Sequence, residues 1–202
     1  MDIHEQLERY TRYAQGDLSQ ACSLHVEDAI FQGMDFSKYD LNNSEFLEAQ
    51  FLKCNFEKVY LSGTSFCGSI IRGGTFKENI LRKANWDYIS IRDTEISRLD
   101  AFRTSFYEGN FQKVVFDDCR LEKCTFTNSV FDDVQFVDCN LRLTSFNNAH
   151  FKKVQFHHCM FNQTSFVGLN LNEDVSFEGV TFVSNGEILV DVGNDVKSFL
   201  IK

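Results

Sequence analysis

From Phe31 to Leu171 every fifth residue is large and apolar, with a single lapse at Ala101. That period matches neither the 3.6-residue repeat of a helix nor the two-residue alternation of a half-buried strand. The backbone must therefore turn by a constant amount every five residues and stack on itself as a solenoid. Of the 29 positions on this register 18 are Phe and six are Leu, while the position two residues earlier is Ala, Ser, Thr, Cys, Gly or Val in 23 of 29 cases. Two such strict registers require both positions to point inward, the large side chain filling the interior and the small one allowing the corner to close.

Residues also recur at twenty, since Leu41, Leu61, Leu81, Leu121 and Leu141 share one phase. Segments such as Cys119 to Lys123 and Cys139 to Leu143 resemble the repeats of pentapeptide repeat proteins. The resemblance implies an all-β solenoid, a right-handed quadrilateral β-helix in which four pentapeptides make one square turn. It covers about seven coils. At the usual strand spacing, seven coils make a stiff rod about 34 Å long. Each buried Phe or Leu contributes roughly 1.5–3 kcal/mol of transfer free energy, so no disulfide or metal is needed for stability.

The chain divides into residues 1–30, a capping helix and lead-in; 31–171, the repeat; and 172–202, a last irregular coil and C-terminal cap. Caps are expected because an open solenoid end is an edge that templates aggregation. Asp2 and Glu5 have the spacing of a capping box, and Ile3, Leu7, Tyr10 and Ala14 form a helical stripe that stops at Gly16, which predicts a helix over 2–15. At the other end the register slips by one residue between Leu171 and Phe177, and Asn185-Gly186 marks a tight hairpin. Around residues 71–103 the pattern loosens, with Gly73-Gly74, Asn79 and Ile89 in the small register and volumes exchanged between Leu99 and Ala101. This predicts a local bend or shifted coil, with Phe102 just out of register.

No phosphate-cradling glycine loop, paired zinc spacing or nucleophile elbow is present, and a convex rod offers no cleft to shift a pKa; the sequence reads as non-enzymatic. Five of the seven cysteines (Cys54, Cys119, Cys124, Cys139 and Cys159) occupy the small register as compact hydrophobes. His157 and His158 beside Cys159 suggest a metal, but the histidines fall at outward positions and the thiols at inward ones, so no metal or cofactor is expected. With no apolar run long enough to span a bilayer and no secretory leader pattern, the expected location is the cytoplasm.

Function should then lie on the surface. The net charge of −9 is uneven: residues 31–171 hold 17 acidic and 16 basic residues, leaving the caps acidic. Sorting by twenty separates two neighbouring sides. The side centred on Phe46, Phe66, Trp86, Phe106, Phe126, Phe146 and Phe166 has no Lys or Arg and carries Glu45, Glu48, Asp87 and Glu108, with Tyr88 and Tyr107 projecting one coil apart. Exposed aromatics beside carboxylates make these six the candidate site for a protein partner. The side centred on Leu41 carries Arg82, Lys83, Arg103, Arg120, Lys123 and Arg142 against three acidic residues. A further column, Asp93, Lys113, Asp133 and Lys153, reads as alternating inter-coil charge support.

Two functions follow. One is a scaffold, immunity or adaptor protein acting through rigid faces. The other comes from the resemblance, whose free-standing members include proteins that protect DNA gyrase and topoisomerase IV by imitating duplex DNA. It implies a topoisomerase partner and dimerisation through a C-terminal segment, here Phe199, Leu200 and Ile201. The acidic balance speaks against direct nucleic-acid binding.

Overall fold

Inter-coil pairing is parallel and offset by twenty residues: Phe31 opposes Phe51, Phe111 opposes Phe131, and Phe136 opposes Phe156. In the computed structural model, which describes residues 2–169, 174–184 and 187–190, this offset builds a four-sided β-solenoid of about 8 turns. That is one more than the five-residue register suggests. Pairing starts before Phe31, where Val26 opposes Phe46, and continues past Leu169, where Phe156 opposes Phe177 and Phe161 opposes Phe182. The last two pairs are offset by one further residue, the slip expected from the sequence. Leu171 itself lies outside the described residues.

The interior is a lattice of aromatic rings. Down one side Phe36, Phe56 and Phe76 stack with centroids 4.5 and 4.4 Å apart. Between sides the rings meet edge to face, as Phe111 does Phe126 at 5.6 Å and 71°. Such pairs add roughly 0.5–1.5 kcal/mol each to the area they bury. The small register has a second role: its hydroxyls and thiols donate to carbonyls of the preceding coil, Ser129 to Phe106 at 2.8 Å, Thr144 to Leu121 at 2.5 Å and Cys139 to Phe116 at 3.3 Å. These buried hydroxyls and thiols are thereby satisfied inside an apolar core.

Corners fall two residues after each large side chain. Among the described residues, 23 non-glycine residues have φ between 50° and 62°, and every one occupies a corner. A left-handed conformation costs an L-residue roughly 1–2 kcal/mol, but corner N–H groups reach the next coil, as from Glu108 to Thr127 at 3.0 Å and from Lys123 to Arg142 at 2.9 Å. Leaving such a donor unpaired would cost about as much. The coil therefore imposes the corner geometry on whatever residue is there.

The loosened stretch does not bend. Ile80 bridges Asp100, and Asp100 bridges Arg120, at the same offset of twenty, and Leu99 and Ala101 are both buried. The two side chains exchange volume in place, because backbone pairing fixes the register independently of which inward position carries the bulk.

At the N-terminus helix α1 (Ile3–Ala14) buries Leu7, Tyr10 and Thr11 over the first coil. Asp2 is its N-cap residue by position only, since its side chain makes no capping bond. What anchors the helix lies on the coil. The Tyr10 hydroxyl donates to the Asn42 carbonyl, and Thr11 Oγ1 accepts from the Asp40 N–H at 3.1 Å. At the far end Thr181–Ser184 pairs antiparallel with Glu187–Val190, the strands of the expected hairpin, with residues 185 and 186 between them outside the described set. Phe199, Leu200 and Ile201 also lie outside it.

Candidate functional site

The twenty-residue pairing places Glu45, Asp87 and Tyr107 on one flat side and Glu48, Tyr88 and Glu108 along its corner. Four of the six come together. The rings of Tyr88 and Tyr107 meet edge to face at 6.0 Å and 89°, Asp87 precedes Tyr88, and Glu108 follows Tyr107. The left-handed corner turns the Tyr88 side chain outward, and it remains 53% exposed. Tyr107 is half-buried and accepts from Asn128 Nδ2 at 2.9 Å. A hydrogen bond with Glu108 raises the Tyr107 pKa, so the phenol stays neutral beside the carboxylate.

Glu45 and Glu48 stand two coils away and belong less to this cluster. Glu45 holds His25 at 2.8 Å. Asp87 is also not a free carboxylate: it accepts from the Ser105 hydroxyl and from the Tyr107 N–H at 3.0 Å. Its role is to fix the ladder on which Tyr107 sits. Within the cluster of four, Glu108 and Tyr88 are the exposed groups.

The structure adds a pattern the sequence sorting left incomplete. Over residues 31–171 the Phe31 side carries six basic and three acidic residues, and the Phe36 side opposite the Phe46 side carries seven acidic and four basic. Charge thus alternates around the square, acidic on the Phe36 and Phe46 sides and basic on the Phe31 and Leu41 sides. The expected column of Asp93, Lys113, Asp133 and Lys153 does not pair within itself; Asp93 instead meets Arg92 at 3.2 Å and Arg72 at 4.0 Å, and Lys152 meets Asp132 at 3.0 Å.

The Leu41 side is the feature that sequence reasoning placed but did not resolve. Phe102 lies half-buried in its middle with Arg120, Arg103 and Lys123 at 4.7, 5.1 and 5.6 Å from the ring centroid. Among the described residues no group of three or more His, Cys, Asp or Glu side chains is placed to hold a metal. His157 lies 3.1 Å from Glu178 and His158 3.6 Å from Asp138, each in an outward pair. Among the described residues no helix is long and apolar enough to cross a membrane.

A four-sided parallel coil with a five-residue interior register defines a pentapeptide-repeat β-helix, and residues 109–184 match the model of the pentapeptide repeat region. Residues 109–184 are thus similar to the pentapeptide repeat region, and the same five-residue register extends the likeness back to Phe31. Solved structures similar to it include HetL, a pentapeptide repeat protein involved in heterocyst differentiation regulation from the cyanobacterium Nostoc, at 14% identity over 94% of this chain and 100% of that chain, with a TM-score of 0.47. Another is a trypsin-treated variant of QnrB1, a plasmid-mediated fluoroquinolone resistance protein, at 18% identity over 75% of this chain and 92% of that chain, TM-score 0.34. A pentapeptide repeat protein of the Arabidopsis thaliana thylakoid lumen is similar at 20% identity over 57% of this chain and 66% of that chain, TM-score 0.21. At these values the likenesses say nothing of what this chain binds. No curated protein matches it.

Proposed function

We propose that this protein is a non-enzymatic scaffold that docks a protein partner on its Phe46 side, with Tyr88 and Glu108 as the anchoring groups. The observation carrying this reading is the edge-to-face Tyr88–Tyr107 pair flanked by carboxylates on a side that has no Lys or Arg over residues 31–171. A rigid aromatic pair supplies contact area at low entropic cost, and neighbouring carboxylates select a basic surface and steer its approach. Photocrosslinking from position 88 identifies the partner, and its affinity is then measured directly. Tyr88→Ala and Glu108→Lys should each weaken it by at least about tenfold, or ~1.4 kcal/mol. Unchanged affinity in both variants would refute the assignment.

A second reading, DNA mimicry toward DNA gyrase or topoisomerase IV, is favoured by the same all-acidic side. Magnitudes place it second. A duplex carries one negative charge per ~1.7 Å, about twenty over the length of this rod, whereas the Phe46 side offers four carboxylates over residues 31–171, one of them engaged by Ser105 and Tyr107. Supercoiling by gyrase, with and without a quinolone, tests it: protection or inhibition that Glu48→Lys with Glu108→Lys removes would support mimicry, and no effect at high protein excess would end it.

A further inference from the structure

Three cations of the Leu41 side have no counter-ion among the described residues. Arg82 and Arg120 share Asp100, and Arg120 also holds Glu122 at 2.7 Å. Lys83, Arg103 and Lys123 occupy three successive corners of this side, and among the described residues none of them makes an ion pair. Corners one coil apart lie about 4.8 Å from each other, so three like charges stand in a short column at a spacing that costs free energy unless an anion lies along it. One coil beyond Lys123, Arg142 has a buried Nε with no hydrogen-bond partner. The column also borders apolar surface: Phe102 is half-buried, and Tyr60 and Met160 on the same side are 52% and 42% exposed.

We propose that the Leu41 side between Lys83 and Arg142 is a docking surface for an acidic peptide segment, an extended run of Asp and Glu bearing an apolar side chain. Such a segment would lie along the rod axis. An extended chain sets alternate side chains about 6.8 Å apart, and the flexible Lys and Arg stems take up the difference from the coil spacing, so carboxylates can reach Lys83, Arg103 and Lys123 while the apolar side chain rests on the edge of Phe102. The ion pairs of Arg120 hold its guanidinium over that ring, which leaves the surface formed before the partner arrives.

A peptide fits better than a nucleic acid because both neighbouring sides, those of Phe36 and Phe46, are acidic. One side is about three residues wide, roughly 10 Å, and screening at physiological salt extends only ~8 Å. A single extended peptide avoids the flanking carboxylates, whereas a duplex is wider than the basic strip and would meet them.

The test is fluorescence anisotropy of a short labelled peptide of Asp, Glu and Leu, with a single-stranded oligothymidylate of equal length as comparator and sedimentation of the protein alone. The peptide should bind more tightly than the oligonucleotide. Its affinity should fall at least about tenfold in Phe102→Ala and in the pair Lys83→Glu with Lys123→Glu, and should weaken with salt. Tyr88→Ala, which tests the Phe46 side, should leave it unchanged, so either surface can fail without the other. Circular dichroism of the variants checks that the coil is intact. Absence of binding, equal binding by the charge-reversed protein, or tighter binding of the oligonucleotide would overturn the proposal. So would self-association abolished by the same reversal, which would make the strip a contact between copies of this chain.

Discussion

Adjacent glycines at 73 and 74 should respond unequally to the same substitution. Gly73 lies at a corner with φ +65°, a conformation that non-glycine residues adopt at 23 other places in the coil, and a Cβ there would find its nearest neighbour, Lys53 Cγ, at 3.6 Å. Gly74 falls on the small register but is itself exposed, with φ +91°, and a Cβ there would stand 2.9 Å from the Cys54 nitrogen and overlap the Cys54 carbonyl oxygen. That oxygen already accepts from the Thr75 N–H at 3.0 Å, so backbone cannot yield without breaking an inter-coil bond. Gly73→Ala meets roughly 1–2 kcal/mol of left-handed strain, offset by about 0.4–1 kcal/mol from a less flexible unfolded chain, for a net loss of about 0–1.6 kcal/mol. Gly74→Ala adds overpacking of roughly 1–3 kcal/mol to comparable strain, for a net loss of about 2–4 kcal/mol. In a chain of this size that lowers Tm by on the order of 10 °C. Urea unfolding followed by fluorescence suits the question, because the single tryptophan, Trp86, is buried 5.8 Å from Phe76 in the coil that Gly74 opens. If the two variants unfold within about 0.5 kcal/mol of each other, below the usual spread for a surface substitution, the coil-to-coil contact at Cys54 is not as described.

The Tyr10 phenol, pushed up to about 12 from 10.0 by burial and then by Asp40, gives the helical cap a pH dependence. Because the folded pKa is raised, the stabilisation is complete below pH 10 and is lost as pH climbs toward 12; Tyr10→Phe should flatten that part of the stability profile, and an unaltered slope would contradict the assignment. Thiol accessibility gives a third check. Only Cys22 and Cys67 are partly exposed, while Cys54, Cys119, Cys124, Cys139 and Cys159 are buried and burial pushes the Cys124 thiol up to about 12. A thiol-disulfide reagent on the native protein should therefore react quickly at no more than two cysteines and reach the other five only in denaturant; fast reaction of a third would show the core to be open.

What the sequence by itself determined is everything that depends on a residue's own inward or outward phase. The five-residue register of Phe and Leu, the small partners two residues earlier and the twenty-residue echo specify a four-sided coil, because each is a local alternation between burial and solvent. The helix over the first coil and the one-residue slip before Phe177 were readable for the same reason. What the tertiary structure decided depends on which residue is stacked twenty positions away. Asp87 reads as a free carboxylate until Ser105 and Tyr107 are seen to engage it, and Phe102 reads as a flaw in register until Arg103, Arg120 and Lys123 close around its ring. The left-handed corners carry almost no sequence signal, since Lys, Asp, Glu, Asn and even Tyr and Leu occupy them. An inter-coil hydrogen bond that would otherwise be lost outweighs the preference of the single residue, so geometry there is set by the stack.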